Sequence, residues 1–209
     1  MARDSIFDNQ AEHYEAWFAE HSFAYVSELR AVRALLPDSG NGVEIGVGTG
    51  RFGAPLGIRT GIEPSRAMAE IAKKKGLEVV PGVAENLPFP DAAFDFALMV
   101  TTVCFLDDID LAFREAFRVI KQGGSFLIGF VDRKSPIGRS YEQRKNESVF
   151  YRNARFYSVE DLLPHLTAAG FTTFSFCQTL FTPLEDMREP APVRTGHGEG
   201  SFVVIKAHK

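Results

Sequence analysis

Val43-Glu44-Ile45-Gly46-Val47-Gly48-Thr49-Gly50-Arg51 carries a short apolar strand straight into three alternating glycines. Glycine tolerates φ > 0 and lets the backbone approach a ligand to contact distance. If a helix follows, its free N–H groups favour an anion there, either a pyrophosphate or a carboxylate. Glu44 stands out because a carboxylate inside an apolar strand needs a partner once buried.

Outward from this turn, short β-type runs alternate with helical ones, the pattern of a mostly parallel sheet with helices on its faces. Strands are expected at 43–45, 58–62, 78–80, 94–100, 125–131, 171–181 and 201–207. The last two follow one another without a helix, so they should pair antiparallel at one edge. A helix is expected over 10–36, where Tyr14, Trp17, Phe18, His21, Tyr25, Leu29, Val32 and Leu36 recur every three or four positions, with Asp8 or Asn9 as cap. Ser65 can cap the helix bearing Met68. Asp107 or Asp108 can cap the helix bearing Ile109, Ala112 and Phe113. Ser158-x-x-Asp161 reads as a capping box, and Pro164 predicts that its helix kinks or starts late. Residues 133–157 are polar, aromatic and irregular. Together with 10–36 they read as a cap over the ligand site of a single domain spanning 1–209.

The 209 residues include 23 Lys plus Arg and 27 Asp plus Glu, a net charge of −4. That balance argues against nonspecific grip on nucleic acid. Cys104 and Cys177 make neither a disulfide framework nor a metal-type pair, so a reduced, cytoplasmic setting and no metal are expected. The N-terminal run lacks an apolar signal core, and no stretch reaches a membrane-span length. Composition says nothing about oligomeric state.

The order of motifs resembles the class I S-adenosylmethionine-dependent methyltransferase family, most closely its quinone- and sterol-type small-molecule branch. Residues 43–50 are similar to its first motif. Gly61-Ile62-Glu63-Pro64-Ser65 is similar to its second-strand signature. Residues 82–91 resemble its adenine-bordering segment, and 114–124 its helix-to-strand turn, with Gln122 where the family usually has Pro. The resemblance implies an α/β, doubly wound Rossmann-like sheet of seven strands, mostly parallel, with an antiparallel C-terminal edge strand. It implies S-adenosyl-L-methionine as cofactor and S-adenosyl-L-homocysteine as product. Glu44 and the turn at Gly46, Gly48 and Gly50 would hold the methionine ammonium and carboxylate, and Glu63 the ribose hydroxyls. Pro64 and Met68 would offer apolar contact to the adenine, Ala84 and Glu85 would read its edge, and Thr101 and Leu106 would lie beside the methionine portion.

The expected activity is methyl transfer to a small-molecule acceptor. Tyr14, His21 and Cys104 are the candidates for a catalytic role, none of them marked out by its surroundings in the sequence. Lys and Arg residues concentrated in 133–155 suit either a solvated face or an acidic acceptor. Gly48-x-Gly50-x-x-Gly53 also fits the dinucleotide pattern, with Glu63 as ribose acceptor, which leaves a nicotinamide-dependent oxidoreductase as the alternative. A non-catalytic cofactor-binding module of the same fold is a third reading.

Overall fold

A computed structural model describes residues 4–209. The first three residues of the N-terminal run lie outside it. In chain order the elements are α1 (Asp4–Glu20), α2 (Ser22–Leu35), β1 (Gly42–Ile45), α3 (Gly53–Leu56), β2 (Thr60–Ile62), α4 (Arg66–Lys74), β3 (Glu78–Val80), β4 (Phe94–Val100), α5 (Ile109–Val119), β5 (Ile120–Val131), α6 (Pro136–Arg144), α7 (Val159–Ala169), β6 (Phe174–Thr179), β7 (Arg194–Thr195) and β8 (Phe202–His208).

One sheet joins the strands in the order β3-β2-β1-β4-β5-β8-β6-β7. The first five run parallel, with Val43 opposite both Thr60 and Ala97. β8 pairs antiparallel with β5 and with β6. The sheet therefore has eight strands rather than seven. The extra one, β7, is a two-residue rung on Cys177 and Gln178 inside the Pro/Gly-rich loop. Both of its residues are exposed, so no apolar pattern announced it. The antiparallel pair does lie at one end of the sheet, and within it β8 sits inside while β6 and β7 lie outermost.

Residues of β1 and β4 are buried on both faces, as central parallel strands require. One core lies under α5 and α7, around Phe113, Phe126, Leu162 and Phe171. The other lies under α1 and α2, around Phe18, Val32, Leu98 and Phe202. Asp108 caps α5 by accepting from the Leu111 N–H at 2.9 Å. The Ser158–Asp161 capping box forms as expected, and α7 starts at Val159 with Pro164 inside it rather than starting late.

The single expected helix over 10–36 is two helices broken at His21, whose ring stacks on Trp17 at 4.8 Å. α1 begins before Gln10, where the backbone kinks. Asp8 is thus inside a helix and caps a different one: its carboxylate accepts from Ser65 Oγ at 2.7 Å and Ala67 N at 3.1 Å, at the start of α4. Residues 133–157 are not wholly irregular, since they contain α6.

Candidate functional site

Because β1, β2, β4 and β5 run parallel, the loops at their carboxyl ends share one edge, the usual place for a ligand in an open α/β sheet. A cavity of about 690 Å³ lies there. Its wall takes Gly46 and Gly48 from the turn after β1, Glu63 and Pro64 after β2, Ala84 and Glu85 after β3, and Thr101 and Leu106 after β4. Met68 of α4 and Tyr14 of α1 also reach it.

The glycine turn is built as its sequence demands. Gly46 has φ +72°, and a Cβ there would lie 2.4 Å from Thr102 Cγ2. Gly48 has φ +53°, and its N–H donates to Glu63 Oε2 at 2.8 Å. Glu63 Oε1 accepts from the Ser65 N–H at 2.9 Å. One carboxylate thus joins the tip of β1 to the cap of α4. Glu85 braces a second pair of loops by accepting from Asp107 N at 2.8 Å. Thr101 holds a left-handed backbone at φ +51°, uncommon for a β-branched residue and a kind of strain that clusters at functional sites. Its side chain hydrogen-bonds Tyr14, whose hydroxyl pKa is raised, chiefly by burial and then by Glu44 and Glu63.

Four of the expected site residues lie off the cavity wall. Glu44 is buried, and its Oε2 accepts from the Gly53 N–H at 2.8 Å, so it ties β1 to α3. Burial pushes its carboxyl up to about 8, the Gly53 N–H pulling it back and Glu63 adding to the rise. Gly50 packs against Leu77 and Ala72, where a Cβ would lie 2.9 Å from Leu77 Cδ1. His21 is taken up by the α1–α2 break. Cys104 is buried behind the wall, its Sγ 3.5 Å from the Thr101 carbonyl.

The helix after the glycine turn, α3, is a single turn of four residues. It supplies no long helix dipole for a pyrophosphate, which weakens the dinucleotide reading of Gly48-x-Gly50-x-x-Gly53. Of the basic residues in 133–155, only Arg144 reaches the cavity, and it is paired with Glu147 at 3.1 Å. Arg133 pairs with Asp161, and Lys134 with Glu160. This is the solvated face.

The roof of the cavity is drawn from α1 and from the 141–151 segment. α1 lies across it with Phe7, Tyr14 and Trp17, and Tyr141, Phe150 and Tyr151 close it from the α6 side. The Phe7 ring lies 5.2 Å from Phe105 and 5.7 Å from Phe150. Polar contacts hold α1 down at two places. Asp8 reaches α4, and Glu15 accepts from Arg51 Nε at 2.9 Å, from Lys75 Nζ at 3.1 Å and from the Thr49 hydroxyl. Burial raises the Glu15 carboxyl, and bonds from Arg51, Thr49 and Lys75 outweigh it, so its pKa is lowered. Glu28 of α2 also faces the cavity, and the sequence reading missed it. Its signal was available, a carboxylate between Tyr25 and Val32 on a buried helix face, the same anomaly that drew attention to Glu44.

The family described as "Methyltransferase domain" matches residues 43–128. A solved structure from Thermotoga maritima, described as a "SAM-dependent methyltransferase, possible histamine N-methyltransferase", is 55% identical with a TM-score of 0.95, over 97% of this chain and 98% of that one. The chain belongs to the S-adenosylmethionine-dependent methyltransferases. This methyltransferase is also 41% identical to an uncharacterised protein of Methanocaldococcus jannaschii, over 98% of this chain and 99% of the other. An uncharacterised methyltransferase of Bacillus licheniformis is 30% identical over 87% and 89% of the two chains.

The cofactor of the methyltransferase is S-adenosylmethionine, and the residues present fit it. The wall on the cofactor side is acidic, with Glu63, Glu85 and Asp107 against the already paired Arg144, which suits a sulfonium cation. Backbone bare of side chains at Gly46 and Gly48 admits a close polar approach. Pro64 and Met68 supply apolar surface beside Glu63. Among the described residues there is no cluster that could hold a metal ion, and no helix is long and apolar enough to cross a membrane.

Proposed function

We propose that the methyltransferase acts on a small-molecule acceptor bound in the same cavity as the cofactor. The observation that carries this reading is the cavity itself. Its volume falls within the range of about 300–1,000 Å³ usual for small-molecule sites, and α1 and the 141–151 segment roof it over.

On this reading the β1–β3 side takes the cofactor. Gly46 and Gly48 cradle its amino-acid end, and Glu63 accepts from the ribose hydroxyls. Pro64 and Met68 pack on the adenine, Ala84 and Glu85 read the adenine edge, and Thr101 and Leu106 lie beside the methionine portion. Glu44 acts one layer behind by holding the turn. The aromatic half takes the acceptor.

When bound, the cofactor supplies a methyl on a sulfonium that departs as a neutral thioether and needs no proton. The task left to the chain is alignment and exclusion of water, the work of the roof and of the strained Thr101. The test is calorimetry with S-adenosylhomocysteine, followed by a screen of small acceptors with labelled cofactor. Saturable binding and transfer to a small molecule are expected. Absent binding, or transfer only to protein or nucleic acid, would overturn the reading.

A further inference from the structure

Glu28 differs from the other carboxylates of the cavity. Glu63 accepts from Gly48 and Ser65, and Glu85 accepts from Asp107. Glu28 is 4% exposed and lines the cavity, yet among the described residues nothing donates a hydrogen bond to it. Since no fully enclosed side-chain oxygen among the described residues lacks a partner, its unpartnered oxygens open to the cavity space. α2 packs over β5, β6 and β8, so Glu28 enters from the side away from Glu63 and Ala84. Its charge is felt by Tyr14, Tyr141 and Tyr151, three rings of the aromatic half. The other charged or titratable groups on the wall are His13, Glu63, Glu85, Asp107 and the Arg144–Glu147 pair.

A buried carboxylate lacking a donor, in a cavity lined also by Tyr14, Trp17, Tyr141, Phe150 and Tyr151, is complementary to a cation bearing N–H groups. The carboxylate supplies the counter-charge and the rings supply cation–π attraction. We propose that Glu28 selects the acceptor, binding one that carries a protonated amine and taking the proton from its nitrogen. In that step an N–H bond breaks, an O–H bond forms on Glu28, and the nitrogen keeps the electron pair with which it attacks the methyl. The inference rests on the small-molecule reading above and adds the class of acceptor and the residue that recognises it.

Burial pushes Glu28 up to about 8, so at pH 7 the free protein carries its proton, which passes to solvent as the ammonium binds and leaves the carboxylate that later takes the proton from nitrogen. Binding a protonated amine then leaves one proton fewer in the complex than in the separate partners. The test is calorimetry on protein saturated with S-adenosylhomocysteine, at pH 7, in two buffers of different ionisation enthalpy. Benzylamine, 2-phenylethylamine and tryptamine are compared with benzoate, phenylacetate, indole-3-acetate and 2-phenylethanol. At least one amine should bind more than ten-fold tighter than its carboxylate and alcohol counterparts, with release of close to one proton. In Glu28→Gln that amine should bind at least ten-fold more weakly without proton release, while S-adenosylhomocysteine binds as before. Preference for a carboxylate or the alcohol, no amine binding across the panel, or amine binding unchanged in Glu28→Gln would overturn the inference. Loss of S-adenosylhomocysteine binding by the wild-type protein would instead sink the methyltransferase site itself.

Discussion

The Glu63 carboxylate accepts the Gly48 N–H at 2.8 Å across fifteen positions of chain, and this contact couples the tips of β1 and β2. Glu63 is also the residue proposed to accept from the ribose hydroxyls. Its replacement therefore acts twice, by loosening the turn and by removing a charged acceptor. Glu63→Ala should weaken S-adenosylhomocysteine binding by about 1.5–3 kcal/mol, the cost of a lost charge-assisted hydrogen bond. Glu63→Gln, which keeps a carbonyl oxygen for Gly48, should lose less. Calorimetry of both variants checks the order, and full-strength binding in Glu63→Ala would remove the ribose assignment.

Gly46 tests the turn itself. Its φ of +72° disfavours any side chain, and a Cβ would sit 2.4 Å from Thr102. Thr102 Oγ1 lies 3.2 Å from the Gly46 carbonyl, so it has little room to retreat. Gly46→Ala should cost about 1–3 kcal/mol of stability, the range for forced overpacking, and reduce cofactor affinity as well. Urea unfolding with and without S-adenosylhomocysteine separates the two losses.

Glu28 and Glu44 give stability a pH dependence of defined sign. Burial pushes both up to about 8 from an ordinary value of 4.5. Between those values the folded chain keeps two protons that the unfolded chain has lost. Stability should therefore fall as pH rises from about 5 to 8 and level off above it, by an amount on the order of a few kcal/mol. Unfolding midpoints of the wild type and of the Glu28→Gln/Glu44→Gln pair, measured at pH 5 and pH 8, check this. The doubly substituted protein should show the smaller fall, and an equal fall in both would refute the assignment.

Glu15 fastens α1 over the cavity through Arg51, Lys75 and Thr49. The Arg51 and Glu15 side chains are 27% and 23% exposed, so solvent screens part of the attraction. Glu15→Ala should cost about 1 kcal/mol in global stability. Its larger effect should be local: faster amide exchange along α1, measured by mass spectrometry, with α5 and α7 unaffected. Unchanged exchange in α1 would show that the Phe7, Tyr14 and Phe18 packing alone holds the helix down.

The sequence by itself determined the parallel half of the sheet and where its ligand edge lies. That information is local: a strand must run apolar, a left-handed turn must be glycine, and a helix start must find an acceptor such as Ser65, Asp108 or Ser158. Glu63, Met68, Ala84 and Thr101 could be placed on one edge because parallel strands put their following loops on the same side. Tertiary structure alone decided what those residues face. Glu44 carries the family's pattern, yet its carboxyl is turned to Gly53, because a buried polar group needs a hydrogen-bond partner and the Gly53 N–H supplies one. Asp8 stands where a helix could begin, yet it caps α4, 57 residues further along. β7 exists only because a loop folds back on β6. Glu28 stands out in the sequence as an acid on a buried helix face, yet only the fold brings it into one cavity with Tyr14, Tyr141 and Tyr151. Such contacts span long stretches of chain, and no periodicity or spacing in the sequence encodes which partners meet.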